Sequence, residues 1–175
     1  MSESKGRLLG IDFGTVRIGL AVTDYDRILA SPLATYTRKS EAEDAAYFTK
    51  IVSDTKATGF VVGLPIYSDG SESAMSREAR LMGDWLTRLT NLPVIYWDER
   101  FTSDRAEEIL IDAKLNPRER KELRDRLAAQ MILQGYIDAG CPLVGTESLD
   151  TLSPQQPLPL NALTPQPPLP EGEGE

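Results

Sequence analysis

Three apolar segments crowd the first 36 residues of this chain, and the short links between them restrict the fold more than any other feature. Leu8 to Ile11, Arg17 to Thr23 and Ile28 to Tyr36 read as strands separated by no more than five residues. A parallel crossover needs about a dozen residues or more, so these strands must form an antiparallel meander. After Tyr36 the periodicity changes. Glu41 to Lys56 is helical, with Ala45, Phe48, Ile51 and Val52 on one face. GFVVGLP, Gly59 to Pro65, is the continuous apolar run of a central parallel strand. Ser71 to Leu89 is helical again through Met75, Ala79, Met82, Leu86 and Leu89, and PVIYWDE, Pro93 to Glu99, is a further strand. Ser103 to Leu115 and Pro117 to Ala139 read as the last helices. This order predicts an α/β fold: a five-stranded mixed sheet, three antiparallel strands then two parallel ones laid beside the first, with helices on both faces.

The pattern stops near Thr146. Seven of the 12 prolines lie beyond it, in PQQPLPLNALTPQPPLPEGEGE. The expected organisation is one domain over 7–145 and a Pro-rich, disordered tail over 146–175. The net charge of −8 speaks against a polyanionic partner only if taken whole. Five acids and no Lys or Arg lie from Glu147 onward, and the first 146 residues hold 22 acids against 19 bases. That balance excludes nothing.

With no histidine and a single cysteine, Cys141, the chain cannot run Ser-His-Asp or Cys-His catalysis or build a His or thiolate zinc site. Carboxylates, lysines, tyrosines and hydroxyls remain, so a metal here would be a hard, oxygen-seeking one. MSESKGR leads straight into a strand with no apolar h-region, and no apolar run approaches the roughly 20 residues of a membrane span. The expectation is a cytoplasmic protein with no membrane partner.

Three acidic positions stand out. Asp12 ends the first strand, Asp98 and Glu99 end the last, and Asp125 shares a helical face with Ala128, Ala129, Ile132, Leu133 and Tyr136. That stripe must pack on the sheet, so the acids converge on one sheet edge, where they repel each other unless a cation sits among them. A magnesium pair would meet that need and suits phosphodiester cleavage. Each acid also has a plain structural alternative. Asp12 would cap the turn that follows it, Glu99 would pair with Arg100 or Arg17, and Asp125 would be a helix-edge charge beside Arg124 and Arg126. A second candidate site lies in VGLPIYSDGSES, Val62 to Ser73, where Ser71 or Ser73 can cap the next helix and backbone N–H groups can hold a phosphate, or simply end a helix.

GIDFGTVRIGLAVTD, VVGLPIYSDGS, WDERFTS and RDRLAAQMILQGYID, in this order and spacing, resemble the YqgF/RuvX family of RNase H-like (ribonuclease H-like) nucleases. The resemblance covers about Arg7 to Ala139. It implies kinship with RuvC-type Holliday junction resolvases and a part in maturing the 5′ end of pre-16S rRNA during ribosome biogenesis. Carried over, it makes Asp12, Glu99 and Asp125 the catalytic, metal-binding triad, with Asp98 a further metal ligand and Mg²⁺ or Mn²⁺ the cofactor. It implies a nucleic-acid partner, pre-rRNA on a ribosomal precursor particle or branched DNA. Arg17, Arg100, Ser71, Arg118 and Arg120 are the expected substrate-binding residues. Arg124 and Arg126 flank the helix aspartate where the family often has apolar or small residues, and the Pro-rich tail is outside the family pattern.

Two rival readings remain. GIDFGT also resembles the phosphate-binding turn of actin-like ATPases, but those need two such domains and more than this length. A non-catalytic nucleic-acid-binding module of the same fold is the other; it would gain nothing from clustered acids.

Overall fold

A computed structural model describes residues 5–101 and 116–142. These belong to one compact unit, Met1–Gly145. The expected helix over Ser103 to Leu115 and the tail lie outside the described residues.

Five strands form one sheet: β1 (Arg7–Asp12), β2 (Arg17–Thr23), β3 (Ala30–Thr37), β4 (Ala57–Leu64) and β5 (Val94–Asp98), in the order β3-β2-β1-β4-β5. β1 pairs antiparallel with β2 and β2 with β3, while β4 runs parallel to both β1 and β5. This is the mixed sheet of an RNase H-like fold that the sequence predicts. The helices are α1 (Glu41–Thr55), α2 (Ala74–Thr90) and α3 (Pro117–Asp138), and a single 3₁₀ turn, Glu99–Phe101, follows β5.

Alternation along the strands divides the core in two. Leu9, Ile11, Ile18, Leu20, Phe60, Val62 and Leu64 face α1 and α2, where they meet Phe48, Ala79, Met82 and Leu86. Leu8, Ala21 and Val61 face α3, against Ala129, Ile132, Leu133 and Tyr136. No helix among the described residues is long and apolar enough to cross a membrane.

Local chemistry sets the element ends. Ser40, Ser73 and Asn116 each cap a helix through a reciprocal box with the residue three positions on, and Pro117 occupies the first turn of α3. α2 therefore begins after Ser73 rather than at Ser71, and Met75, expected on its apolar stripe, is exposed. β3 begins at Ala30 rather than Ile28, because Oδ1 of Asp24 accepts the backbone N–H groups of Ile28 and Leu29 and holds both in the turn.

α3 lies close on the sheet because β2 presents a glycine where the helix crosses it. A Cβ at Gly19 would stand 2.0 Å from the backbone oxygen of Asp125. Gly19 is also the residue paired with Asp12 across β1 and β2. The crossing point thus brings the backbone of Asp125 over the strand end that carries Asp12.

Candidate active site

β1 hands the site its first carboxylate. Leu8 and Gly10 lie on the α3 face of β1, so alternation puts Asp12 on that face as well. Burial, first, and then the negative charges of Glu99 and Asp125 push its carboxyl from an ordinary 3.8 up to about 7.

Glu99 follows β5, two strands away from β1, and reaches the same face by lying over β4. The floor beneath it is Gly63, whose missing side chain leaves the space: a Cβ there would be 2.3 Å from Oε1 of Glu99. Gly63 stands one residue beyond the Ile11–Val62 pair of β1 and β4, beside Asp12. Burial, and then the charge of Asp98, raise the Glu99 carboxyl to about 7.

Asp125 reaches this edge already partnered. Its Oδ2 accepts a hydrogen bond from Nε of Arg17 at 2.8 Å, and both side chains are only about a fifth exposed, at 21% and 22%. The structure therefore supplies a cation of its own next to the acids, and Arg17, expected to hold substrate, is engaged with a residue expected to hold metal.

Asp98 is turned elsewhere. It is in register with Leu64, on the α1/α2 face of the sheet, and its Oδ1 and Oδ2 accept from the backbone N–H and Nε of Arg100 at 2.9 and 2.7 Å. Burial alone would raise this carboxyl, but the hydrogen bonds and charge of Arg100 outweigh it and hold the carboxyl below its usual value. Arg100 is thereby tied to Asp98.

The other expected contacts lie further out. Ser71 donates its backbone N–H and its hydroxyl to Oδ1 of Asp69, at 2.8 and 2.6 Å, tightening the loop after β4. The helix cap is Ser73, whose hydroxyl, with that of Ser76, donates to the Pro65 carbonyl. Arg118 and Arg120 are exposed on the first turns of α3, with Arg118 Nε bonded to Glu122 at 3.2 Å.

The donor set suits a hard divalent cation. It offers carboxylate oxygens, among them those of two partly buried acids whose charged forms are resisted by their surroundings, a resistance that a cation would relieve. Among the described residues no three acids are already drawn into a metal-holding group. Sequence reasoning missed the two glycines that make the arrangement possible. An isolated glycine inside a strand signals a close approach, and Gly19 and Gly63 carried that signal.

Comparison with known proteins agrees with the motifs. The profile of the RuvX family, described as Holliday junction resolvase, matches residues 6–139. A protein of Rhodopirellula baltica, provisionally named a pre-16S rRNA nuclease, is 41% identical over 134 residues, which cover 77% of this chain and 78% of that protein. One of Rhodobacter capsulatus, with the same provisional name, is 42% identical over 133 residues, covering 76% and 84%. Among solved structures, T. thermophilus RuvC in complex with a Holliday junction substrate matches with a TM-score of 0.49 and 17% identity, over 77% of this chain and 96% of that one. By the extent of the profile match and the identity to these relatives, the chain belongs to the RuvX family.

Proposed function

We propose that this protein is a divalent-metal-dependent nuclease that cleaves phosphodiester bonds at the sheet edge shared by Asp12 and Glu99, and that its substrate is the 5′ end of pre-16S rRNA on a ribosomal precursor particle in the cytoplasm. One observation supports the site: Glu99, from the turn after β5, lies over Gly63 beside the end of β1, where its charge acts on Asp12, and both partly buried carboxylates have raised pKa values. The names of the relatives support the substrate. Branched DNA is the second reading, favoured by the family's description as Holliday junction resolvase.

In this reading Asp12 and Glu99 hold Mg²⁺ or Mn²⁺, with Asp125 as a third ligand once it leaves Arg17. Such an ion, when bound, supplies Lewis-acid charge and favours ionisation of an attacking water. Asp12 and Glu99 give up the protons that burial makes them keep. Arg17, released from Asp125, contacts the substrate phosphate, and Arg100, tied to Asp98 just past β5, is a further phosphate contact. Arg118 and Arg120 extend a phosphate track along the start of α3, and Ser71 borders it from the loop after β4. These contacts are indifferent to sequence and weaken with salt.

The test uses the purified full chain on a labelled RNA spanning the 5′ end of the 16S precursor and on a four-way DNA junction, each with Mg²⁺, Mn²⁺ or EDTA. Cleavage of the RNA with metal, lost in EDTA and in Glu99→Gln, is expected. Cleavage that persists in EDTA would overturn metal dependence, and cutting of the junction alone would overturn the RNA assignment.

A further inference from the structure

From the geometry around β4 we infer that Gly63 is a positioning residue for Glu99: the strand is bare at that point so that a carboxylate starting just past β5 can lie across it beside Asp12. The inference rests on the reading of Glu99 as a metal-holding residue and goes beyond it, because it assigns a task to a residue with no chemistry of its own.

Topology creates the need. β5 is separated from β1 by β4, and neighbouring strands stand about 4.8 Å apart, so Glu99 starts two strands across from Asp12 and, since Gly63 is level with Trp97, two residues beyond it. The glutamate must lie over the intervening strand to close that distance. Residues of β4 on this face point up into the same space, as Val61 does two residues earlier, where it packs in the α3 core. A side chain at 63 would follow suit. Its first carbon would be 2.3 Å from Oε1 and 3.0 Å from Cδ of Glu99, and 2.5 Å from Cδ1 of Ile132. Both Oε1 and Cδ are nearer than any ordinary van der Waals contact.

The identity of the obstructed atoms separates this glycine from Gly19. At Gly19 the obstacle is the backbone oxygen of Asp125, so a methyl there must push a helix away. At Gly63 the obstacles are the ends of two flexible side chains. A methyl at 63 can be accommodated by turning Glu99 aside and shifting one methyl of Ile132, with the strand pairing to β1 and β5 intact. The substitution therefore spares the fold and removes the carboxylate from its place. A glycine required only for packing would show the opposite balance.

The experiment compares wild type, Gly63→Ala, Gly63→Ala with Ile132→Val, Gly63→Ala with Glu99→Asp, and Glu99→Gln, all in the full chain. Thermal melting in EDTA, Mn²⁺ affinity by calorimetry, and kcat and KM on the cleaved nucleic acid are measured for each. Gly63→Ala should fold, lose about 10- to 100-fold in Mn²⁺ affinity, the range for residues that orient a metal ligand, and lose kcat with little change in KM. Ile132→Val removes Cδ1 and should not restore either quantity. Glu99→Asp, one methylene shorter, should restore neither, because it loses the reach across β4, and full restoration by it would overturn the need for that reach. If Gly63→Ala alone melts too low to assay, the Ile132→Val background carries the same comparison.

Retention of Mn²⁺ affinity and kcat by Gly63→Ala, with Glu99→Gln inactive, would overturn the role of Gly63 and leave the nuclease reading standing. Restoration by Ile132→Val would assign Gly63 to packing. A Glu99→Gln variant that binds Mn²⁺ and cleaves as wild type does would overturn the reading of the site itself, and the inference with it.

Discussion

Replacing Asp12 with asparagine keeps the shape of the side chain and removes the charge that its surroundings resist. In the metal-free protein the Asp12 carboxyl titrates at about 7, against 3.8 for an ordinary aspartate. Between these values the folded protein keeps a proton that the unfolded chain has released, so the folded state binds more protons and stability falls as pH rises. The contribution is fully present below about pH 4 and is lost as pH passes through about 7. At 1.36 kcal/mol per pKa unit the full loss is about 4 kcal/mol, an upper figure because relaxation and water entry soften it. Asp12→Asn should remove this loss. In EDTA at pH 8 it should be more stable than wild type by up to about 4 kcal/mol, and near pH 4 the two should converge. A residual slope should remain in the variant, because the Glu99 carboxyl, also raised to about 7, loses stability over the same direction of pH. Urea unfolding at half-unit pH steps in EDTA reads the difference. An Asp12→Asn protein as pH-sensitive as wild type, or less stable than it at pH 8, would refute the claim that Asp12 is partly buried against other acids.

Asp125→Asn should act in the opposite sense, costing about 1–3 kcal/mol because it breaks a partly buried charge-assisted hydrogen bond from Arg17; a double-mutant cycle with Arg17→Gln should show the two losses overlapping. Gly19→Ala should lower stability by about 1–3 kcal/mol in thermal melts, since its methyl meets the Asp125 backbone rather than a mobile side-chain end. Arg118→Ala should leave stability within about 0.5 kcal/mol, as an exposed pair with Glu122 contributes little, while reducing the salt slope of nucleic-acid binding by about 1 in a filter titration. Removal of Thr146–Glu175 should leave both melting temperature and cleavage unchanged, and a drop of many degrees would show that the tail packs.

Much of the architecture was legible because it follows from link length and period. Links too short to cross over fixed the meander, the apolar run at Gly59 to Pro65 marked the central strand, and the stripe through Ala129, Ile132, Leu133 and Tyr136 marked the helix that packs on the other face. Asp12, Glu99 and Asp125 stood out for the same reason: each lies at the end of an element or on a buried stripe. What the sequence did not disclose was partner choice. Asp98 and Glu99 are neighbours, yet strand alternation and the 3₁₀ turn send one to Arg100 and the other over Gly63. The link between Arg17 and Asp125 spans 108 residues and depends on how closely α3 meets β2, which no local pattern encodes. The start of β3 was missed for a local reason: Ile28 and Leu29 look like strand, but the Asp24 side chain binds their N–H groups first.

The central claim is that Asp12 and Glu99 jointly hold a divalent ion. Crystals of the full chain soaked in Mn²⁺, with anomalous diffraction collected near the manganese edge, test it most directly. The account predicts an anomalous peak in contact with the carboxylates of both Asp12 and Glu99, absent from crystals of Glu99→Gln. No peak there at a Mn²⁺ concentration that supports cleavage, or a peak on Asp98 instead, would contradict it.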